Sequence, residues 1–196
     1  MRTRKGFTLV ELSIVLVIIG LLIGGVLKGK SMIDNAKQKR VKGDVDGIVA
    51  ATYNYQDKYG FLPGDDPTSI AVVPLSVSGC TGGNGDGLFT NAAEGTCAWR
   101  AIIAAGYVSG DKTKTTEAEV AKRSPYGGRY LFRYANNING SGKSGNYIYV
   151  ENMPLEVIAD IDRKYDDGVY NTGDLTSNRA YTATSNATSD LYWIAF

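Results

Sequence analysis

The chain contains no histidine, and that absence removes the usual general base, the usual zinc ligand and the usual triad member. No nucleophile paired with a base is visible, so catalysis is the weakest of the functions open to it, and the expectation is a protein that is not an enzyme. Net charge is nearly absent too. The 21 lysines and arginines meet 20 aspartates and glutamates, leaving +1, and nothing global argues for nucleic acid or an acidic polymer as a specific partner. Cysteine occurs only at Cys80 and Cys97. An even pair separated by a short polar stretch reads as one disulfide rather than as metal ligands, and therefore as an oxidising compartment. At 196 residues the chain is long enough for one domain of ordinary size plus an appended element.

What is present first is a long apolar run. Phe7 to Leu27 reads FTLVELSIVLVIIGLLIGGVL, 21 residues interrupted only by Thr8, Glu11 and Ser13. As a helix it is ~32 Å long, enough to cross a bilayer. An ordinary secretory signal has an apolar stretch of ~7–15 residues followed by an A-x-A-type cleavage site, and this segment has neither. A plain signal anchor meets the same length criterion; Gly6 and Glu11 are what it would not need. A carboxylate inside a membrane helix costs roughly 2.5–3.5 kcal/mol near its centre and less near its end, so it marks a functional site by default. A cut after Gly6 would give Phe7 a new α-amino group, with Glu11 four residues on along the same helical face. The amine can then neutralise the acid, in its own chain or in a neighbour.

These residues resemble a known pattern. Lys5-Gly6-Phe7-Thr8-Leu9-Val10-Glu11-Leu12 is similar to the class III leader of type IV prepilins and type II secretion pseudopilins. The resemblance implies cleavage after Gly6 by a prepilin peptidase, N-methylation of Phe7, and a role for Glu11 in aligning an incoming subunit with the filament tip. The apolar run departs from many relatives in having no proline, with Lys28 near the place where they carry one, which implies a straighter helix. Gly20 and Gly24, like Gly25 and Gly29, are four apart. That spacing lets helices approach closely in an apolar medium, although glycine is also simply common in membrane helices.

Orientation is contested by charge. Arg2, Arg4 and Lys5 precede the run, whereas Lys28, Lys30, Lys37, Lys39, Arg40 and Lys42 follow it with only Asp34 and Asp44 in offset. A bare positive-inside count would place the C-terminal region in the cytoplasm. The cysteine pair and the leader resemblance place the leader inside and the domain outside, and they outweigh the count.

Beyond Leu27, Ile33, Val41, Val45, Ile48, Thr52, Tyr55 and Tyr59 fall mostly three, four or seven apart, the mark of an amphipathic helix running to about Tyr59. Gly60-Phe61-Leu62-Pro63-Gly64 ends it. From Phe7 the whole would span ~80 Å, a length no small globular domain buries, so half lies in lipid or among other subunits. The expected organisation is a leader at 1–6, a transmembrane or filament-core helix at 7–27, an amphipathic continuation at 28–59 and a periplasmic or extracellular globular domain at 60–196.

Asp65 to Asn91 is rich in Gly, Pro, Ser, Asn and Asp and reads as loop. A Cys80–Cys97 disulfide would close about 18 residues and stabilise the domain by ~3 kcal/mol. Asn91-Ala92-Ala93-Glu94 has the form of a capping box, opening a short helix with Trp99, Ile102 and Ile103 that Gly106 stops. Arg129–Tyr134 and Tyr147–Val150 are β-prone and read as antiparallel strands. Pro154 suits the first turn of a helix carrying Leu155, Ile158 and Ile161 that ends near Asp167-Gly168. Leu191 to Phe196 reads as a buried closing strand. A long helix laid on a small antiparallel sheet, an α+β arrangement, satisfies these elements and is the fold the resemblance implies. Leu62-Pro63-Gly64-Asp65 and Asn84-Gly85-Asp86-Gly87, followed by Trp99 and Ala105-Gly106-Tyr107, also resemble a group of prepilin-like proteins.

Asn84, Asp86, Asp162, Asp166, Asp167 and Asp174 supply hard oxygen atoms in Gly-rich turns, the chemistry calcium needs, but the same residues dominate metal-free turns and neither segment has EF-hand spacing. The thirteen tyrosines show no regular interval and suit core packing and strands. The basic stretch from Lys28 to Lys42 reads as a solvated or headgroup-facing helix surface. The leading expectation is a structural subunit, major or minor, of a type IV pilus or a type II secretion pseudopilus, with no cofactor. Its partners would be the prepilin peptidase, other pilin or pseudopilin subunits and the bacterial inner membrane, which it would cross once before joining a filament in the periplasm or at the cell surface. The alternative is a single-span anchored extracytoplasmic binding module that does not polymerise.

Overall fold

A computed structural model describes residues 6–66, 80, 83–182 and 187–194. The first element, α1, is one helix of 51 residues, Leu9–Tyr59. Gly60 ends it: its N–H still donates to Gln56 O at 2.7 Å, but its φ of +84° is a left-handed conformation that glycine adopts without penalty. The chain divides into two compact units, Met1–Lys39 and Arg40–Phe196. In the first, the large apolar side chains from Phe7 to Ile33 are exposed.

In the second unit the amphipathic face of α1 is covered. Val41, Val45, Ile48, Ala51 and Tyr55 are buried at spacings of three or four, the pattern that puts one stripe of a helix against a core. Polar contacts fasten the same stretch. Asp44 accepts from Tyr130 Oη at 3.0 Å and from Lys122 Nζ at 2.7 Å.

Helix α2, Ala92–Ala104, opens on the anticipated capping box. Asn91 accepts from the Glu94 N–H at 2.9 Å, and the Glu94 carboxylate accepts from the Asn91 N–H at 3.2 Å. The one-turn α3, Glu117–Val120, follows. A four-stranded antiparallel sheet completes the unit: β1 (Tyr130–Ala135), β2 (Gly145–Pro154), β3 (Leu175–Ser177) and β4 (Thr188–Ile194), in the order β1-β2-β4-β3. Tyr130 pairs with Val150, Val150 with Leu191, and Leu175 with Trp193. Helix α4, Leu155–Tyr165, lies between β2 and β3 in sequence and buries Ile158 and Ile161 completely. The architecture is therefore mixed α+β, a long N-terminal apolar helix with a small antiparallel sheet, consistent with a pilin-like fold.

Three local readings change, the first being that α1 opens at Leu9 and not at Phe7. Pro154 closes β2 and occupies the cap position, with α4 starting at Leu155. Its ψ of 131° is extended, and Leu155 N–H donates to Ala187 O, so sheet pairing holds this proline outside the helix. The closing strand is an interior strand of which Ser189 and Leu191 are buried while Tyr192, Trp193 and Ile194 are half-buried; Ala195 and Phe196 lie outside the described residues. The short β3 carried no readable signal, because three residues are too few to show a period. Most of the expected loop from Asp65 to Asn91, at 67–79 and 81–82, is also outside the described residues.

Candidate processing and assembly site

The N-terminus of α1 is closed by its own side chains. Thr8 is the residue before the helix, and Glu11 is the third within it. The Glu11 carboxylate accepts from Thr8 N–H and Thr8 Oγ1, each at 2.8 Å, while Thr8 Oγ1 accepts from Glu11 N–H at 3.3 Å. This is a capping box, T-x-x-E, satisfying two backbone donors that helix geometry leaves without partners. The spacing is present in the sequence at Thr8 and Glu11, but in apolar surroundings the carboxylate's burial cost is a stronger signal than its local donors. An acid near the N-terminus also meets the positive end of the helix dipole.

Gly6 and Phe7 precede the box with no regular structure, and Phe7 is 83% exposed. An exposed backbone outside any helix or strand is what a peptidase needs around a scissile bond. Leader residues 1–5 lie outside the described residues.

Of the six oxygen-bearing residues considered for calcium, three come together. Asp162, Asp166 and Asp167 present carboxylate oxygens within 4.8 Å of one another. Each carboxylate accepts from nearby groups: Asp162 from Gly168 N–H and Tyr181 Oη, Asp166 from the N–H groups of Asp174 and Leu175, and Asp167 from Val169 N–H and Thr172 Oγ1. Burial pushes the Asp162 carboxyl above its ordinary range, whereas the Thr172 hydroxyl holds that of Asp167 below it. Asp174 pairs instead with Lys143 at 2.5 Å. Asn84 and Asp86 bond to each other at 2.7 Å and cap their own turn. The arrangement is that of a self-braced turn.

The separated pieces of the second motif meet. Asp65, 1% exposed, accepts from Gly85 N–H at 3.0 Å and Gly87 N–H at 2.7 Å, so Leu62–Asp65 holds the Asn84–Gly87 loop. Burial is the leading reason that the Asp65 carboxyl titrates above its usual value, outweighing those two hydrogen bonds. Gly64, at φ +81°, runs so close to α2 that a Cβ would lie 2.5 Å from Ala98 N and Glu94 O. Trp99, on the same helix, donates to Tyr130 O at 2.9 Å, and Tyr107 Oη donates to Asn54 O at 3.3 Å. Cys97, also on α2, is bonded to Cys80, with their Cα atoms 5.6 Å apart, and Arg100 Nη1 lies 3.4 Å from Cys80 Sγ.

An apolar helix long enough to cross a membrane, with an acid at its start, and a disulfide-bonded α+β unit together fit a membrane-anchored protein. Residues 1–27 match the family described as the prokaryotic N-terminal methylation motif, which is the leader signal of type IV prepilins. The N-terminal segment is thus similar to that of type IV pilin- and pseudopilin-like precursors, and the motif implies processing by a prepilin peptidase and assembly with pilin subunits. No curated protein and no solved structure matches the chain.

Proposed function

We propose that this chain is a structural subunit, major or minor, of a type IV pilus or a type II secretion pseudopilus. In this reading it is cut after Gly6, methylated on Phe7, held in the inner membrane as a single span with residues 60–196 outside the cytoplasm, and then polymerised through α1. The observation that carries the reading is the apolar segment itself. It matches the methylation motif, is long and apolar enough to cross a membrane, and has none of its most apolar window buried within the chain. Such a surface requires lipid or other helices. Glu11 then serves assembly: with the leader removed, the Phe7 amine of one copy and the Glu11 carboxylate of another form a charge-assisted contact in a medium where such contacts are strong.

One observation favours an anchor that does not polymerise. Thr8 already satisfies the Glu11 carboxylate within its own chain, so the acid has a local role without any neighbour. The test is Glu11→Ala, scored as the amount of chain in sheared filaments relative to total membrane-bound chain, with intact mass reporting loss of Met1–Gly6. The subunit reading expects a shortened, methylated chain in wild-type filaments and severely reduced incorporation of the variant. Incorporation equal to wild type would remove the assembly role of Glu11, and a wild-type chain that never enters filaments would leave the anchored module as the better account.

A further inference from the structure

Acidic residues are rare along the uncovered part of α1. Between Glu11 and Asp44 the helix carries a single one, Asp34, among Lys28, Lys30, Lys37, Lys39, Arg40 and Lys42. Three of these basic residues are followed four positions later by an aspartate: Lys30 by Asp34, Arg40 by Asp44 and Lys42 by Asp46. At that spacing side chains on one helix face meet. The second and third pairs close within the chain, at 3.9 and 2.5 Å. The first does not: among the described residues no ion pair joins Lys30 to Asp34. Lys30 is exposed, and Asp34 is half-exposed.

Packing parallel copies through α1 would bring this lysine-rich band against itself. Like charges brought together as water is excluded repel strongly, and ions taken out of water need partners. Asp34 is the one acid the helix offers there. A parallel copy displaced by four residues, ~6 Å along the axis, presents its Asp34 to the Lys30 of its neighbour. Glu11 and Asp34 are 23 positions apart, which at 3.6 residues per turn sets them roughly 140° apart around the helix, facing different neighbours. Resting on the assembly reading above, we propose that Asp34 is a second assembly residue, paired between copies with Lys30 of an adjacent subunit.

Charge reversal tests this. Asp34→Lys and Lys30→Asp, each expressed alone, should lower the filament-incorporated fraction by roughly tenfold or more, because like charges then face each other. Co-expressing the two variants should restore incorporation. Each supplies the charge the other lacks, while residues 30 and 34 stay like-charged within each chain, so an intrachain pair would not be rescued. Membrane-bound chain and the Cys80–Cys97 bond, read by gel mobility, control for folding. Wild-type incorporation of either single variant, or a mixture that fails to recover, overturns the proposal. Glu11→Ala measured alongside separates the two ideas: normal incorporation of that variant with depressed incorporation of Asp34→Lys sinks the role of Glu11 and leaves that of Asp34 standing. A wild-type chain absent from filaments overturns both.

Discussion

Before Lys39, α1 leaves Leu16 69% and Leu21 72% exposed; after it, on the same helix, Val41, Val45 and Ile48 are at or below 1%. The residue types are alike, and what differs is who supplies the cover. From Arg40 onward the chain folds its own sheet and helices over the apolar stripe. Up to Ile33 the large apolar side chains among the described residues stay exposed, although each fully buried Leu, Ile or Val is worth ~1.5–3 kcal/mol. Stability of the second unit is therefore an internal property. On the function proposed above, the first stretch gains its stabilisation from lipid or other subunits, and a mutation there is read in insertion and assembly rather than in unfolding.

The sharpest way to break this comparison is a pair of truncations. Trp99→Ala in the core should destabilise the second unit by about 3–5 kcal/mol. Leu16→Ala, which empties no internal cavity, should leave its denaturant midpoint within about 0.5 kcal/mol. A large shift from Leu16→Ala would mean that the chain covers its own N-terminal helix. Next in size is the disulfide. Cys80 and Cys97 are 17 positions apart, and Cys97→Ser should cost about 3 kcal/mol in unfolding, largely by freeing the unfolded chain. Thiol labelling of denatured, unreduced protein from its native compartment should find neither sulfur reactive.

The smallest effect is a pH slope. The carboxyl of Asp65 titrates above its ordinary value in the folded unit because it is buried. The folded state therefore holds that proton more tightly than the unfolded chain. Its contribution is fully present below the ordinary carboxylate pKa and is lost as pH rises through the raised folded value. Relative to wild type, Asp65→Asn should gain stability across that window. Parallel unfolding curves at each pH would show it, and a difference independent of pH would contradict the assignment.

Much of this was legible in one dimension. The apolar run, the helix stop at Gly60 and the capping box at Asn91 rest on periodicity and local hydrogen bonding, which act between residues a few positions apart. The pairing of β1 with β2 was readable for a related reason, since one turn-rich connection joins two β-prone runs. The box formed by Thr8 and Glu11 is equally local, a T-x-x-E spacing masked by the apolar setting, in which the cost of burying the carboxylate is the stronger signal. Among the calcium candidates, composition grouped six residues that the fold disperses: Asp174 meets Lys143, Asn84 and Asp86 meet each other, and only Asp162, Asp166 and Asp167 converge.

Sequence alone determined where the helix ends, where the prepilin-type motif lies and which residues carry charge along α1, because backbone propensity, turn chemistry and apolar length are properties of neighbours. Tertiary structure decided the rest. The order β1-β2-β4-β3 places the last strand inside the sheet, beside a three-residue strand too short to announce itself. Asp65 reaches across 20 and 22 positions to the amides of Gly85 and Gly87. Such contacts depend on which distant segments pack together, and no local period records that choice.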